Sequence, residues 1–116
     1  MSIVTIYHNP RCSKSRQTLA LLTDRNINPE IILYLETPPS TAELTELLAK
    51  LNMPARDLLR KGEDAYKENN LNDTSLSEAE LIQSMHNSPK LIERPIVVAN
   101  DKAALGRPPE QVLEIL

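Results

Sequence analysis

Residues 3–16 read IVTIYHNPRCSKSR, and this stretch contains the only cysteine of the 116-residue chain. Its first part, Ile3–Tyr7, predicts a β-strand. Apolar spacing predicts a helix from Ser13 to Arg25. Cys12 therefore lies in the strand-to-helix loop, at or just before the helix N-terminus. Unpaired backbone N–H groups and the helix dipole favour an anion there, so they favour a thiolate over a thiol.

The residues around Cys12 are polar or cationic. Arg11, Lys14 and Arg16 add positive charge, and no carboxylate precedes Asp24. A lone cysteine in a small protein is most often a buried apolar residue, which is the alternative interpretation. Because this loop is unsuited to a core, we interpret Cys12 as an exposed, reactive nucleophile.

The composition predicts one folded domain, residues 1–116, because the chain is long enough for a single core. A net charge of −3 argues against a general nucleic-acid-binding protein. No stretch is long and apolar enough to span a membrane. The N-terminus lacks the apolar core of a signal peptide, and one cysteine cannot form an internal disulfide, so we expect a cytoplasmic protein.

Strand-like and helical patterns alternate at the start of the chain. Ile31–Leu35 predicts a second strand, and strand, helix and strand at this spacing indicate a parallel βαβ unit. The middle of the chain predicts helices only. One of them begins with a capping box formed by Ser40 and Glu43, and another begins with the same pattern at Ser77 and Glu80.

The last segment predicts a β-hairpin followed by a helix. Ile96–Ala99 and Lys102–Leu105 flank Asn100–Asp101, a composition typical of two-residue turns. A last helix begins at Pro108–Pro109. The residues that we expect to face the core from this helix are Val112, Leu113 and Leu116. The order βαβ, helices, ββα predicts an α/β fold with a four-stranded mixed sheet and a helical insertion.

Three further arginines are candidate anion ligands, namely Arg60, Arg94 and Arg107. Arginine stays charged and presents planar donors that suit an oxyanion. Each one taken alone is more commonly a solvated surface charge. One cysteine and two distant histidines, His8 and His86, do not make a metal-ligand set, so we expect no metal site.

Two motifs in the chain resemble the glutaredoxin-coupled arsenate reductases of the thioredoxin-fold superfamily. The first is His8-Asn9-Pro-x-Cys12-x-x-Ser15-Arg16. The second combines Arg94-Pro95-Ile96 with Gly106-Arg107-Pro108. The resemblance covers essentially the whole chain and implies a thioredoxin-like fold. It also implies a cis Arg94–Pro95 bond that lies against the cysteine loop.

The resemblance implies that Cys12 attacks arsenate and reduces it to arsenite. His8 would tune the thiolate, and Ser15 would donate a hydrogen bond to it. The residues implied to bind the oxyanion and stabilise its charge are Arg60, Arg94 and Arg107. Further implied substrate contacts are Ser13, Lys14 and Arg16.

The reductant must come from outside, because Cys12 has no partner cysteine. The resemblance implies glutathione as co-substrate and glutaredoxin as protein partner, with no bound cofactor. We expect a monomer that acts on a small oxyanion and binds neither nucleic acid nor membrane.

The chain differs from the characterised reductases at Ser13-Lys14, where those proteins generally have Gly-Thr. Losing the glycine narrows the loop conformations, while Lys14 adds charge, so the physiological substrate stays open. One alternative is a glutathione-dependent thiol/disulfide reductase without arsenate activity. Another is an RNA-polymerase-binding redox regulator, whose Cys-x-x-Cys switch would need a cysteine where Ser15 stands.

Overall fold

The computed structural model describes residues 3–116, and the chain forms two compact units. The first unit combines the segment before Pro38 with the segment from Arg94 onward. The second unit spans Pro38–Glu93. None of the helices within residues 3–116 is both long and apolar enough to cross a membrane.

A four-stranded mixed sheet forms the centre of the first unit. Its strands are β1 (Thr5–His8), β2 (Glu30–Leu33), β3 (Ile96–Ala99) and β4 (Lys102–Leu105). Their order across the sheet is β2-β1-β3-β4. β1 and β2 are parallel and are joined by helix α1 (Ser13–Asp24), whereas β3 is antiparallel to both β1 and β4. The predicted α/β class and mixed sheet are confirmed, although β1 and β2 start and end at slightly different residues.

A row of apolar side chains across three strands fixes the register of this sheet. Ile6 pairs with Val97, and Val97 pairs with Ala104. All three are buried in one cluster with Leu22 of α1. Shifting one strand by a single residue would turn its member of the row to the opposite face, so this register is strongly specified.

The C-terminal helix differs from the prediction. It is a 3-10 helix over Pro109–Ile115, and such a helix has three residues per turn. Pro109, Val112 and Ile115 are therefore on one side and are buried together. Leu113 is half-buried. The expected inward position of Leu116 is wrong, since this residue is 39% exposed.

The predicted hairpin turn is present at Asn100 and Asp101. Their φ angles are 54° and 61°, as a type I′ turn between two strands requires. Asparagine and aspartate adopt this left-handed conformation more readily than most residues. The hairpin continues past its last regular pair, because the Gly106 N–H donates to the Pro95 carbonyl at 2.9 Å. The residues flanking the two strands are therefore brought side by side.

The second unit consists mainly of helices. They are α2 (Thr41–Leu51), α3 (Ala55–Leu58), α4 (Asp64–Glu68) and α5 (Glu78–Asn87), with a 3-10 turn at Pro89–Leu91. The predicted capping box of Ser40 and Glu43 is present in both directions. At α5 the Ser77 Oγ accepts from the Glu80 N–H at 3.2 Å. In return, the Glu80 carboxylate accepts a hydrogen bond from the Ser77 hydroxyl and not from the Ser77 backbone N–H.

Candidate active site

Cys12 is the residue from which α1 begins. Its backbone is extended, with φ −95° and ψ 123°. Its carbonyl accepts the first helical hydrogen bond, from the Arg16 N–H, at 3.0 Å. Its own N–H donates to the Asn9 carbonyl, also at 3.0 Å. The thiol is thus held at the N-terminus of α1, the position that the sequence predicts.

The Cys12 side chain is less accessible than the sequence indicates. The residue is 9% exposed, although Arg11 and Ser13 on either side are exposed. The Nη2 atom of Arg107 lies 3.9 Å from the sulfur. The expectation that Cys12 is exposed is therefore wrong, whereas its role as nucleophile stays a prediction. The sulfur is mostly covered, and one of the groups near it comes from a residue distant in sequence.

The pKa of the Cys12 thiol is nevertheless lowered. Burial acts most strongly and raises the pKa, but the Ser15 N–H, the Arg94 side chain and the Lys14 N–H together outweigh it. Neither N–H makes a regular capping hydrogen bond to the sulfur, so these groups act as oriented dipoles at a helix N-terminus. Cys12 consequently carries more thiolate at neutral pH than an ordinary cysteine does, as a nucleophile requires.

Arg94 and Arg107 meet beside Cys12 because they flank the two strands of the hairpin. Arg107 Nε donates to the Arg94 carbonyl at 2.9 Å. The Arg94 side chain lowers the pKa of Cys12 by hydrogen bonding and by its positive charge. The Arg94–Pro95 and Arg107–Pro108 peptide bonds are both cis. Two guanidinium groups near one thiolate can provide the donors that a small oxyanion needs.

His8 and Ser15 form a buried polar pair under the loop. His8 Nδ1 lies 2.6 Å from Ser15 Oγ, and this oxygen also accepts from the Asn9 N–H at 3.0 Å. The Ser15 hydroxyl makes these two contacts and no hydrogen bond to the sulfur, so its implied donation to the thiolate stays a prediction. Burial and the charge of Arg16 lower the pKa of His8. The imidazole is therefore neutral at neutral pH.

The other implied contacts from α1 lie in its first turn. Ser13 and Arg16 are exposed, and Lys14 is half-buried. Arg16 Nη1 donates to the Pro10 carbonyl at 2.9 Å, so one of its donors already braces the loop. The roles of these three side chains in substrate binding stay predictions.

Arg60 belongs to the second unit and has carboxylate partners there. Its Nη1 lies 3.0 Å from the Glu93 carboxylate, and its Nε lies 3.7 Å from Glu63. The implied role of Arg60 in anion binding stays a prediction. Within residues 3–116 no three His, Cys, Asp or Glu side chains cluster in a way that could hold a metal ion.

Two supports of the site, Thr18 and Asn9, have roles that the sequence did not predict. The buried Thr18 donates its hydroxyl to the Lys14 carbonyl at 2.8 Å, and its Oγ1 lies where a Cβ on Gly106 would point. The Asn9 Oδ1 accepts from the Arg11 N–H at 3.0 Å. The Asn9-Pro10 pair was a usable signal for this second contact, since asparagine commonly bonds the backbone two residues on.

Comparison with known proteins connects this geometry to a family, since the ArsC family matches residues 7–115. The chain belongs to the ArsC family. A relative from Escherichia coli K12 described as "Uncharacterized protein YfgD" is 64% identical over 97% of this chain and 96% of its own. An arsenate reductase from Haemophilus influenzae is 50% identical, and the match covers 100% of both chains.

The ArsC relatives also include solved structures. The arsenate reductase from Vibrio cholerae is 57% identical, has a TM-score of 0.95, and matches over 97% of both chains. The resemblance inferred from the two motifs is therefore confirmed. The thioredoxin-like fold that it implied is confirmed as well.

We expect Arg94→Ala to raise the pKa of Cys12, because the Arg94 side chain supplies both a hydrogen bond and a positive charge. The thiolate would then form only at higher pH. The rate of alkylation by iodoacetamide, measured across pH, should fall severalfold at neutral pH while its plateau at high pH is retained. Arg25→Ala, at the other end of α1, is the matched control and should leave the profile in place. An unchanged profile for Arg94→Ala would contradict this electrostatic account.

Proposed function

We propose that the protein is an arsenate reductase that takes its electrons from glutathione and glutaredoxin. The observation that carries the proposal is a cysteine of lowered pKa at a helix N-terminus, with Arg94 and Arg107 beside it. Relatives described as arsenate reductases support the choice of substrate. We assign the reaction to a monomer in the reducing cytoplasm, where small thiols are abundant.

Anion binding and thiolate formation depend on the same groups in this site. The guanidinium groups of Arg94 and Arg107 supply donors to the oxygens of arsenate. The N–H groups at the start of α1 supply more. Their positive field offsets the repulsion between a thiolate and an anionic substrate, and it stabilises charge that develops on the oxygens.

The first step joins Cys12 to the substrate. The Cys12 thiolate attacks arsenic and forms a sulfur–arsenic bond, and one arsenate oxygen takes up protons and leaves as water. Arsenic is still As(V) at this stage. His8 is neutral and bonded to Ser15, so we assign it a supporting role in the loop.

The next steps transfer two electrons. A glutathione thiolate attacks the Cys12 sulfur, the electron pair of the sulfur–arsenic bond stays on arsenic, and arsenic leaves as As(III) in arsenite. A glutaredoxin thiolate then takes the glutathione from the mixed disulfide and releases the Cys12 thiolate. A second glutathione frees glutaredoxin and forms oxidised glutathione. Two thiols thus become one disulfide for each arsenate reduced.

The test is a coupled assay that follows NADPH oxidation by glutathione reductase. We expect oxidation that saturates with arsenate and is lost when glutathione or glutaredoxin is omitted. The control omits arsenate and glutaredoxin and supplies a small disulfide instead, and its rate is compared with that of the same mixture without the protein. Oxidation above this blank with the disulfide, together with no oxidation with arsenate, from a folded protein whose Cys12 is still alkylated quickly, would contradict the proposal and support a thiol/disulfide reductase.

A further inference from the structure

A pocket of about 290 Å³ lies in the first unit where β1 and β2 end. Its size is near the lower end for sites that hold small molecules, which is about 300 Å³. The two strands are parallel, so their carboxyl ends meet at one edge of the sheet, the usual position of ligand sites in α/β folds. The residues that line it include His8, Asn9, Arg11, Leu33, Leu35 and Glu36.

Two opposite charges line this pocket. The side chains of Arg11 and Glu36 are exposed, and neither makes a hydrogen bond or ion pair within residues 3–116. Their backbones are nevertheless fixed. The Arg11 N–H donates to Asn9 at 3.0 Å, and the Glu36 N–H donates to the Leu33 carbonyl at 2.9 Å. The pocket thus offers a cation and an anion that the protein itself leaves unused.

The rest of the lining is apolar on one side and polar on the other. Leu33 and Leu35 come from the end of β2 and the turn after it, and Leu35 is 38% exposed. His8 ends β1, Asn9 follows it, and both are buried. The pocket therefore combines an apolar surface with both signs of charge, which suits a small zwitterionic molecule better than a simple anion.

The residues that line this pocket are neighbours of Cys12 in the same loop. Arg11 directly precedes Cys12, and the Asn9 carbonyl accepts the Cys12 N–H at 3.0 Å. A molecule that occupies the pocket is therefore bound against the loop that presents the thiol. It leaves Arg94 and Arg107, which approach from the hairpin, available to the oxyanion.

We propose that the pocket binds the thiol co-substrate, a zwitterionic peptide thiol of the glutathione class. Arg11 receives a carboxylate in a forked pair of hydrogen bonds, Glu36 receives the ammonium group, and the leucines contact the chain between them. This inference rests on the proposed function, because that reaction requires an external thiol. Arsenate fits this pocket poorly, since Glu36 would repel an anion and arsenate has no cationic group to meet it.

Binding of S-methylglutathione tests the site without any reaction, because this analogue has no free thiol. We expect titration of the full chain to show saturable binding, and Arg11→Glu or Glu36→Lys to raise Kd about tenfold, which corresponds to about 1.4 kcal/mol. Arg25→Glu makes the same change of charge as Arg11→Glu, but at the exposed far end of α1, and should leave Kd unchanged. Absence of binding, or equal Kd for all variants, would overturn the proposal.

Kinetics in the coupled assay separate this site from the reaction itself. Glu36→Lys should raise KM for glutathione about tenfold while KM for arsenate and alkylation of Cys12 stay the same. A rise in KM for glutaredoxin alone would assign the surface to the protein partner and overturn the proposal. If the unmodified protein does not turn over arsenate but Arg11→Glu still weakens binding of S-methylglutathione, the result contradicts the proposed function and supports the site.

Discussion

Replacing Cys12 by serine should lower arsenate turnover at least about a thousandfold, because removal of a catalytic nucleophile has effects of that size or larger. The chain has no other cysteine to substitute for it. A serine hydroxyl does not ionise near neutral pH, and the groups that lower the pKa of Cys12 cannot make it a comparable nucleophile. The measurement is the initial rate of arsenate-dependent NADPH oxidation at saturating glutathione and glutaredoxin.

The same substitution separates loss of chemistry from loss of fold. Cys12 occupies the N-cap of α1 without a regular capping bond from its side chain, and serine is one of the preferred residues at that position. We therefore expect the free energy of unfolding of Cys12→Ser to be unchanged or up to about 1 kcal/mol higher. Activity retained in this variant would contradict the mechanism, whereas lost activity in a less stable variant would require a second substitution such as Cys12→Ala.

Gly106→Ala should destabilise the protein by about 1–3 kcal/mol, the usual cost of forcing an extra carbon into a packed site. A Cβ at this position would overlap Thr18 Oγ1 and would lie 2.7 Å from the Pro95 Cγ. Thr18 is fully buried, so α1 or the hairpin must shift to relieve the overlap. Equilibrium unfolding in urea measures the change.

Gly62 provides the matched control for this substitution. A Cβ at Gly62 meets no atom within 4 Å, so Gly62→Ala should be neutral or stabilise by up to about 1 kcal/mol through the unfolded chain. Equal stability of Gly106→Ala and the unmodified protein would show that the contact between α1 and the hairpin is looser than the structure indicates. Arg107 follows Gly106 directly, so we also expect arsenate turnover to fall in the destabilised variant.

Local rules explain the parts of the fold that could be predicted from the sequence. The capping box at Ser40 depends on residues three positions apart, and the turn at Asn100–Asp101 depends on two adjacent residues. The position of Cys12 at a helix N-terminus follows from the pattern of the stretch around it. In each case the determining contacts are between near neighbours in the chain.

The parts that could not be predicted depend on pairing between distant segments. Arg107 covers the Cys12 sulfur only because β3 pairs with β1 and β4 continues the hairpin. The pocket with Arg11 and Glu36 likewise requires β1 and β2 to end at the same edge. Apolar spacing also cannot distinguish an α-helix from a 3-10 helix over seven residues, and Leu116 faces inward only if the segment is an α-helix.

The central claim is that one cysteine transfers two electrons to arsenate with the help of an external thiol. A single-turnover reaction of the protein with arsenate and glutathione, without glutaredoxin, tests it most directly when intact-protein mass and released arsenite are measured together. We predict that one glutathione is added to Cys12 for each arsenite formed, and that neither appears when arsenate is omitted or when Cys12 is serine. Arsenite formed without the adduct on Cys12, or the same adduct without arsenate, would contradict the mechanism.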